Sequence, residues 1–218
     1  DTSLTITDSS TLSRSGAAPV NINGQDNGTL TINSGSTVTS TASNAVQGKD
    51  QSGLIITNSG TINADGSKAI NLLNAQSSTV TNKSGGIIKS NTNTITVTEN
   101  SGTANNVTIN NSGQISAGAS SSGATSNNAI RSEDDTDNVT VVNNVGGHIH
   151  NNNTSSTALN SATVFIAANS SATLTNSGTI ENKGGVDNYA IGLAGDGVTV
   201  TLKDDGKVIG KISVAGGS

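Results

Sequence analysis

Residues 57–62 read Thr-Asn-Ser-Gly-Thr-Ile, and residues 175–180 repeat them letter for letter. Looser copies surround them. Leu30-Thr-Ile32-Asn-Ser-Gly35-Ser-Thr-Val38 precedes the first, and Val80-Thr-Asn82-Lys-Ser-Gly-Gly86-Ile87 follows it. Val107-Thr-Ile109-Asn-Asn-Ser-Gly113-Gln-Ile115 and Val139-Thr-Val141-Val-Asn-Asn-Val-Gly-Gly147-His-Ile149 come next, and Val198-Thr-Val200-Thr-Leu202-Lys-Asp-Asp-Gly206-Lys-Val208 is last. Each copy is a β-branched alternation, a polar step, a glycine and another aliphatic residue. Aligning Gly35, Gly60, Gly86, Gly113, Gly147, Gly178 and Gly206 gives intervals of 25, 26, 27, 34, 31 and 28 residues.

A second motif, a polar or small residue followed by Ala and an aliphatic one, runs at the same period. Its copies are Asn44-Ala45-Val46, Lys68-Ala69-Ile70, Asn128-Ala129-Ile130, Thr157-Ala158-Leu159 and Tyr189-Ala190-Ile191. An alternation such as Leu-Thr-Ile puts its aliphatic residues on one strand face and Thr on the other. The Asn-Ser-Gly step tolerates positive φ and turns the chain. Each copy holds two or three short strands and too little apolar surface to fold alone, so the copies must stack. The pattern predicts an all-β fold, a right-handed parallel β-helix (β-solenoid) of about seven coils with 25–34 residues per coil. At about 4.8 Å per coil the rod is roughly 34 Å long. Asparagines at equivalent turns are expected to form amide ladders. The whole of 1–218 reads as one β-helix domain, a fragment of a longer chain, with 196–218 as a capping coil.

Composition agrees. Asn 30, Ser 32 and Thr 30 make 92 of the 218 residues, whereas Phe165 and Tyr189 are the two Phe, Tyr or Trp residues. A broad core is usually closed by several aromatics; Ile, Val, Leu and Ala suit a narrow one. The single Pro19 and 11% charged residues argue against disorder, which favours both. Sandwiches show turn signals every 8–12 residues, and propellers repeat about every 40 residues with aromatic motifs; neither pattern is present. A net charge of −5 with scattered Lys and Arg disfavours nucleic acid as a partner. No apolar run approaches the ~20 residues that span a bilayer, so no membrane insertion of this segment is expected.

The Thr-Asn-Ser-Gly-Thr-Ile copies, the Ala-Ile phases and Gly195-Asp-Gly-Val-Thr-Val-Thr-Leu202 resemble the passenger domains of bacterial autotransporters (type V secretion). The resemblance implies a β-helix that is secreted or displayed on an outer membrane, with a translocator barrel elsewhere in the protein. It also implies adhesion to host cells or between bacteria, the partner being a host cell-surface protein or glycan, or another copy.

Chemistry-bearing residues are sparse, and no catalytic residue, metal ligand set or cofactor is assigned. His148 and His150 share one strand face and are expected to be solvent-facing, because no carboxylate or Cys completes a metal set at motif spacing. Paired carboxylates for glycoside cleavage and a Gly-x-Ser-x-Gly nucleophile motif are lacking, so an enzyme, such as a polysaccharide-active β-helix, is a lesser reading. The one charge concentration is Arg131, Glu133, Asp134, Asp135 and Asp137, in the 34-residue interval. A rigid scaffold presenting such a loop is where binding tends to reside. These five residues are the binding candidates, in a protruding loop near 116–137, and a second protruding loop is expected near 150–172. Released ligand of one host receptor and passive stalk are the remaining alternatives.

Overall fold

The computed structural model describes residues 2–100, 105–118, 127–133, 138–153, 158–167, 172–195 and 197–214. Three parallel sheets of eight strands each run the length of the molecule, and every strand pairs with its counterpart one coil away. This is a parallel β-helix of eight coils.

The first sheet holds Ser3–Ile6, Thr29–Ile32, Ile55–Asn58, Ser78–Asn82, Asn106–Asn111, Asn138–Asn143, Thr173–Asn176 and Thr199–Leu202. The second holds Thr11–Arg14, Thr37–Ser40, Thr61–Ala64, Ile87–Ser90, Gln114–Ala117, His148–Asn151, Thr179–Asn182 and Lys207–Ile209. The third holds Val20–Asn21, Val46–Ser52, Ile70–Gln76, Ile95–Thr98, Ile130–Ser132, Val164–Ile166, Tyr189–Leu193 and Lys211–Val214. Each strand alternates as its sequence dictates. Leu30, Ile56, Val80, Ile109, Val141 and Leu174 form one fully buried row inside the first sheet. A fully buried Ile or Leu contributes about 1.5–3 kcal/mol, so rows of these residues hold the coils together without aromatics.

There is one more coil than the glycine count predicts. The first, Ser3–Asn21, has no glycine in its turn, and Asp8 (φ 59°) and Ser9 (φ 57°) take the left-handed conformation instead. With Ser10 N–H bonded to Thr7 O, the turn has the type I′ pattern. A second correction concerns Gly35. The strand register places Ser36, not Gly35, in the column of Gly60, Gly86, Gly113, Gly147, Gly178 and Gly206.

The same register exposes an alternation of turn widths. Asn58 to Gly60, Asn111 to Gly113 and Asn176 to Gly178 are tight turns. Ile32 to Ser36, Asn82 to Gly86, Asn143 to Gly147 and Leu202 to Gly206 are two residues longer, and each closes on a bond such as Gly147 N–H to Asn144 O. Gly35, Gly85 and Gly146 supply φ of 80–81° at the third position of three of these wider turns. From the second coil onward, wide and tight turns alternate.

The asparagine ladder expected from the repeats exists, and it faces inward. Asn58 Nδ2 donates to Asn82 Oδ1 (2.9 Å), Asn82 to Asn111 (2.9 Å), Asn111 to Asn143 (2.8 Å) and Asn143 to Asn176 (2.7 Å). All five are fully buried. Each amide also donates to the glycine carbonyl across its own turn, as Asn58 does to Gly60 O (3.2 Å), Asn111 to Gly113 O (3.1 Å) and Asn176 to Gly178 O (3.3 Å). Buried polar side chains are stable mainly when bonded in this way.

Outward, the first sheet presents two columns. One is Ser3, Thr29, Ile55, Thr79, Thr108, Thr140, Thr173 and Thr199; the other is Thr5, Thr31, Thr57, Thr81, Asn110, Val142, Thr175 and Thr201. At one end of the stack the inward row of the eighth coil, Val200, Leu202, Val208, Ile212 and Val214, is half-buried or exposed, and the charged turn Lys203-Asp-Asp-Gly-Lys207 lies on its flank.

Candidate functional site

Of the described sequence candidates, Arg131 and Glu133 belong to the fifth coil and the two histidines to the sixth, on different sheets. Arg131 sits on the outer side of the third sheet, in register with Phe165 one coil on. Its guanidinium carbon is 4.9 Å from the Phe165 ring centroid, within cation–π range. Nη1 donates to Asn128 Oδ1 (2.9 Å) and Asn160 O (3.2 Å), and Nε pairs with Glu133. Only 14% of its side chain is exposed. Arg131 is therefore engaged on four sides, and its planar fork suits this work better than Lys would. Glu133 is the exposed member of the pair. Asp134, Asp135 and Asp137 lie outside the described residues.

Asn160 belongs to a short 3-10 turn, Leu159–Ser161, that packs on the outer side of the third sheet. Gly192 is needed beneath it, because a Cβ there would meet Leu159 O at 2.7 Å. The turn corrects one expectation. Of Thr157-Ala158-Leu159, Thr157 lies outside the described residues and Ala158-Leu159 is not the third-sheet strand of its coil; that strand is Val164–Ile166, with Val164 in register with Ile130 and Ile191. The Ala-aliphatic rule failed because Thr163 stands where Ala45, Ala69, Ala129 and Ala190 stand in their coils, as Thr94 does in the fourth.

The histidines give a second correction. Ile149 points inward as expected, but His150, on the outward side, is only 4% exposed. Its Nδ1 has no hydrogen-bond partner, and its ring lies 4.5 Å from that of His148. Burial first, then the charges of Lys183 and His148, push its pKa down to about 4. His148 remains half-buried and meets Glu181 across the coil, Nε2 to Oε2 3.0 Å. Glu181 is also the register partner of His150. The sequence hid this carboxylate because it arrives from the next coil, 33 residues away. Among the described residues no group of three His, Cys, Asp or Glu side chains could hold a metal ion.

The alternating turns leave two equivalent hollows on the edge that carries His148. One, of about 380 Å³, lies between the wide turn at Gly85 and that at Gly146, across the tight turn at Gly113. The other, of about 280 Å³, repeats it two coils on, between Gly146 and Asp205 across Gly178. His148 lines both. A third hollow, of about 360 Å³, lies at the opposite end, between Asp26, Asp50 and Asn74. Asn74 Nδ2 donates to Asp50 (2.5 Å) and to Asn100 (2.8 Å). That bond, aided by Lys49, holds the Asp50 carboxyl below its usual range. Asp26 is occupied in accepting the Ser52 N–H (2.8 Å).

These features are open, shallow and polar, and their groups bond mainly to one another. Chemically they offer weak, repeated hydrogen-bonding edges. No protein-family model, curated protein sequence or solved structure matches the chain.

Proposed function

We propose that this chain is a non-catalytic adhesive rod, secreted or held at a bacterial outer membrane in the manner of an autotransporter passenger. The observation that carries the reading is the register itself. The same outward positions recur at every coil over eight coils, so one weak contact is offered many times and avidity accumulates along the rod. The partner is a host cell-surface protein, a glycan or another copy of the chain. No cofactor, metal or catalytic residue belongs to this reading.

The test is an in-register deletion. Removing residues 55–107 joins Leu54 to Thr108, takes out one tight and one wide coil, and keeps the alternation of turns. Cell adhesion should weaken in proportion to the coils lost. Unchanged adhesion after the deletion, with complete loss on charge reversal of Asp134, Asp135 and Asp137, would favour a single receptor-binding loop instead.

A further inference from the structure

The outer face of the first sheet differs from the other two. Each of its two columns of eight carries six threonines; Ser3, Ile55, Asn110 and Val142 complete them, and no member is charged. The second sheet presents Lys89, His148, Glu181 and Lys207 at equivalent positions, and the third presents Lys49, Arg131 and Phe165. β-Propensity alone favours Thr in every strand, so it does not explain threonines concentrated on one face. The register along this face is unbroken, whereas the third sheet shifts between Tyr189 and Ile191. Among these threonines one hydroxyl–hydroxyl bond forms, Thr173 to Thr140 at 3.3 Å; the other hydroxyls make no bond within the protein.

We infer that this face binds crystalline water, the surface of ice. Neighbouring rungs are about 4.8 Å apart, and alternate residues along a strand about 6.6–6.8 Å apart. That rectangular net is close to the repeat of oxygen atoms on a prism face of hexagonal ice. Thr supplies both groups such a surface needs, a hydroxyl to enter the lattice and a methyl to confine the waters between rungs. Its β-branch restricts χ1, so few rotamers are lost when the hydroxyls are held, which lowers the entropic cost of binding. A charged side chain would carry its own hydration shell into the net. Here the neutral face suits a neutral lattice. Each contact is weak, and simultaneous engagement of Thr29, Thr31, Thr79, Thr81, Thr173 and Thr175 makes attachment to a growing crystal durable. The inference is independent of the adhesive reading.

The test uses the 218-residue chain in a nanolitre osmometer, with ice shaping and thermal hysteresis as readouts. The unmodified chain should facet ice and depress its growth temperature. Thr79→Lys with Thr108→Lys should lose most of that activity, while Thr37→Lys with Thr61→Lys on the second sheet should retain it. Circular dichroism verifies that both variants keep their β structure, and Thr108→Ser, which removes only a methyl, gives a milder version of the face change. Absence of hysteresis and shaping in the unmodified chain overturns the inference. So does equal loss from both faces, or retention on a crystalline polysaccharide with no effect on ice.

Discussion

Asn82 Nδ2 donates to Asn111 Oδ1 at 2.9 Å with both side chains fully buried, and Asn111 in turn donates to Asn143 at 2.8 Å. The middle amide thus serves as acceptor to one coil and donor to the next. Asn111→Leu leaves Asn82 its bonds to Gly86 O and Gln114 O but strips Asn143 Oδ1 of its donor. The expected loss is about 1–3 kcal/mol, the cost of an unsatisfied buried polar group. Asn111→Asp should be worse at neutral pH, since it also buries a charge and sets a carboxylate oxygen against Asn143 Oδ1. Urea unfolding midpoints of the two variants check the order.

The ladder has a defined first rung. Asn58 Oδ1 lacks a donor because the register partner beneath it is Ile32. Ile32→Asn would supply the missing amide, whereas Ile56→Asn would insert one into an aliphatic row. Ile32→Asn should therefore cost clearly less than Ile56→Asn, although both sites are fully buried. Equal costs in denaturant titrations would show that the ladder adds nothing at its end.

The sheets and the direction of each strand were legible because alternation and turn chemistry agree at most coils. Thr57-Asn-Ser-Gly-Thr-Ile62 alone specifies a strand, a corner and a second strand. The first coil was not, because Asp8 and Ser9 do the work that glycine does elsewhere. Gly35 misled in the opposite sense, as a turn glycine beside Ser36, the true member of the column. At the candidate site, Arg131 was visible as a charge but its engagement was not. Phe165 and Asn160 reach it from the next coil, at separations that no local motif records, and only Asn128 is a sequence neighbour. The burial of His150 and its pairing in register with Glu181 were hidden for the same reason.

Two kinds of glycine follow from the turn alternation, and alanine should separate them. A Cβ on Gly113 would collide with the carbonyl oxygens of Gly86 and Lys83, which are backbone and cannot move aside. At Gly85 nothing lies within 4 Å, and the obstacle is only a φ of 81°. Gly85→Ala should cost about 1–2 kcal/mol, the strain of a left-handed residue. Gly113→Ala should cost more and shift the stacking of two coils. Thermal unfolding of the pair decides the matter, and Gly85→Asn should be milder than either.

His150 sets a pH window. Its folded-state pKa is lowered to about 4 from an ordinary 6.5, by burial and by Lys183 and His148. For a base with a depressed pKa the folded state refuses a proton that the unfolded chain accepts. The associated stability is therefore complete above about pH 6.5 and is lost as pH falls from there towards 4. The full difference is on the order of 3 kcal/mol. Carboxylates also begin to titrate near the lower limit, so the comparison must be with a variant. His150→Gln should remove most of the decline in urea midpoint between pH 7 and pH 4. If the variant declines as steeply as the unmodified chain, the imidazole is not the group responsible, and the acidic side chains of the exposed turns take its place.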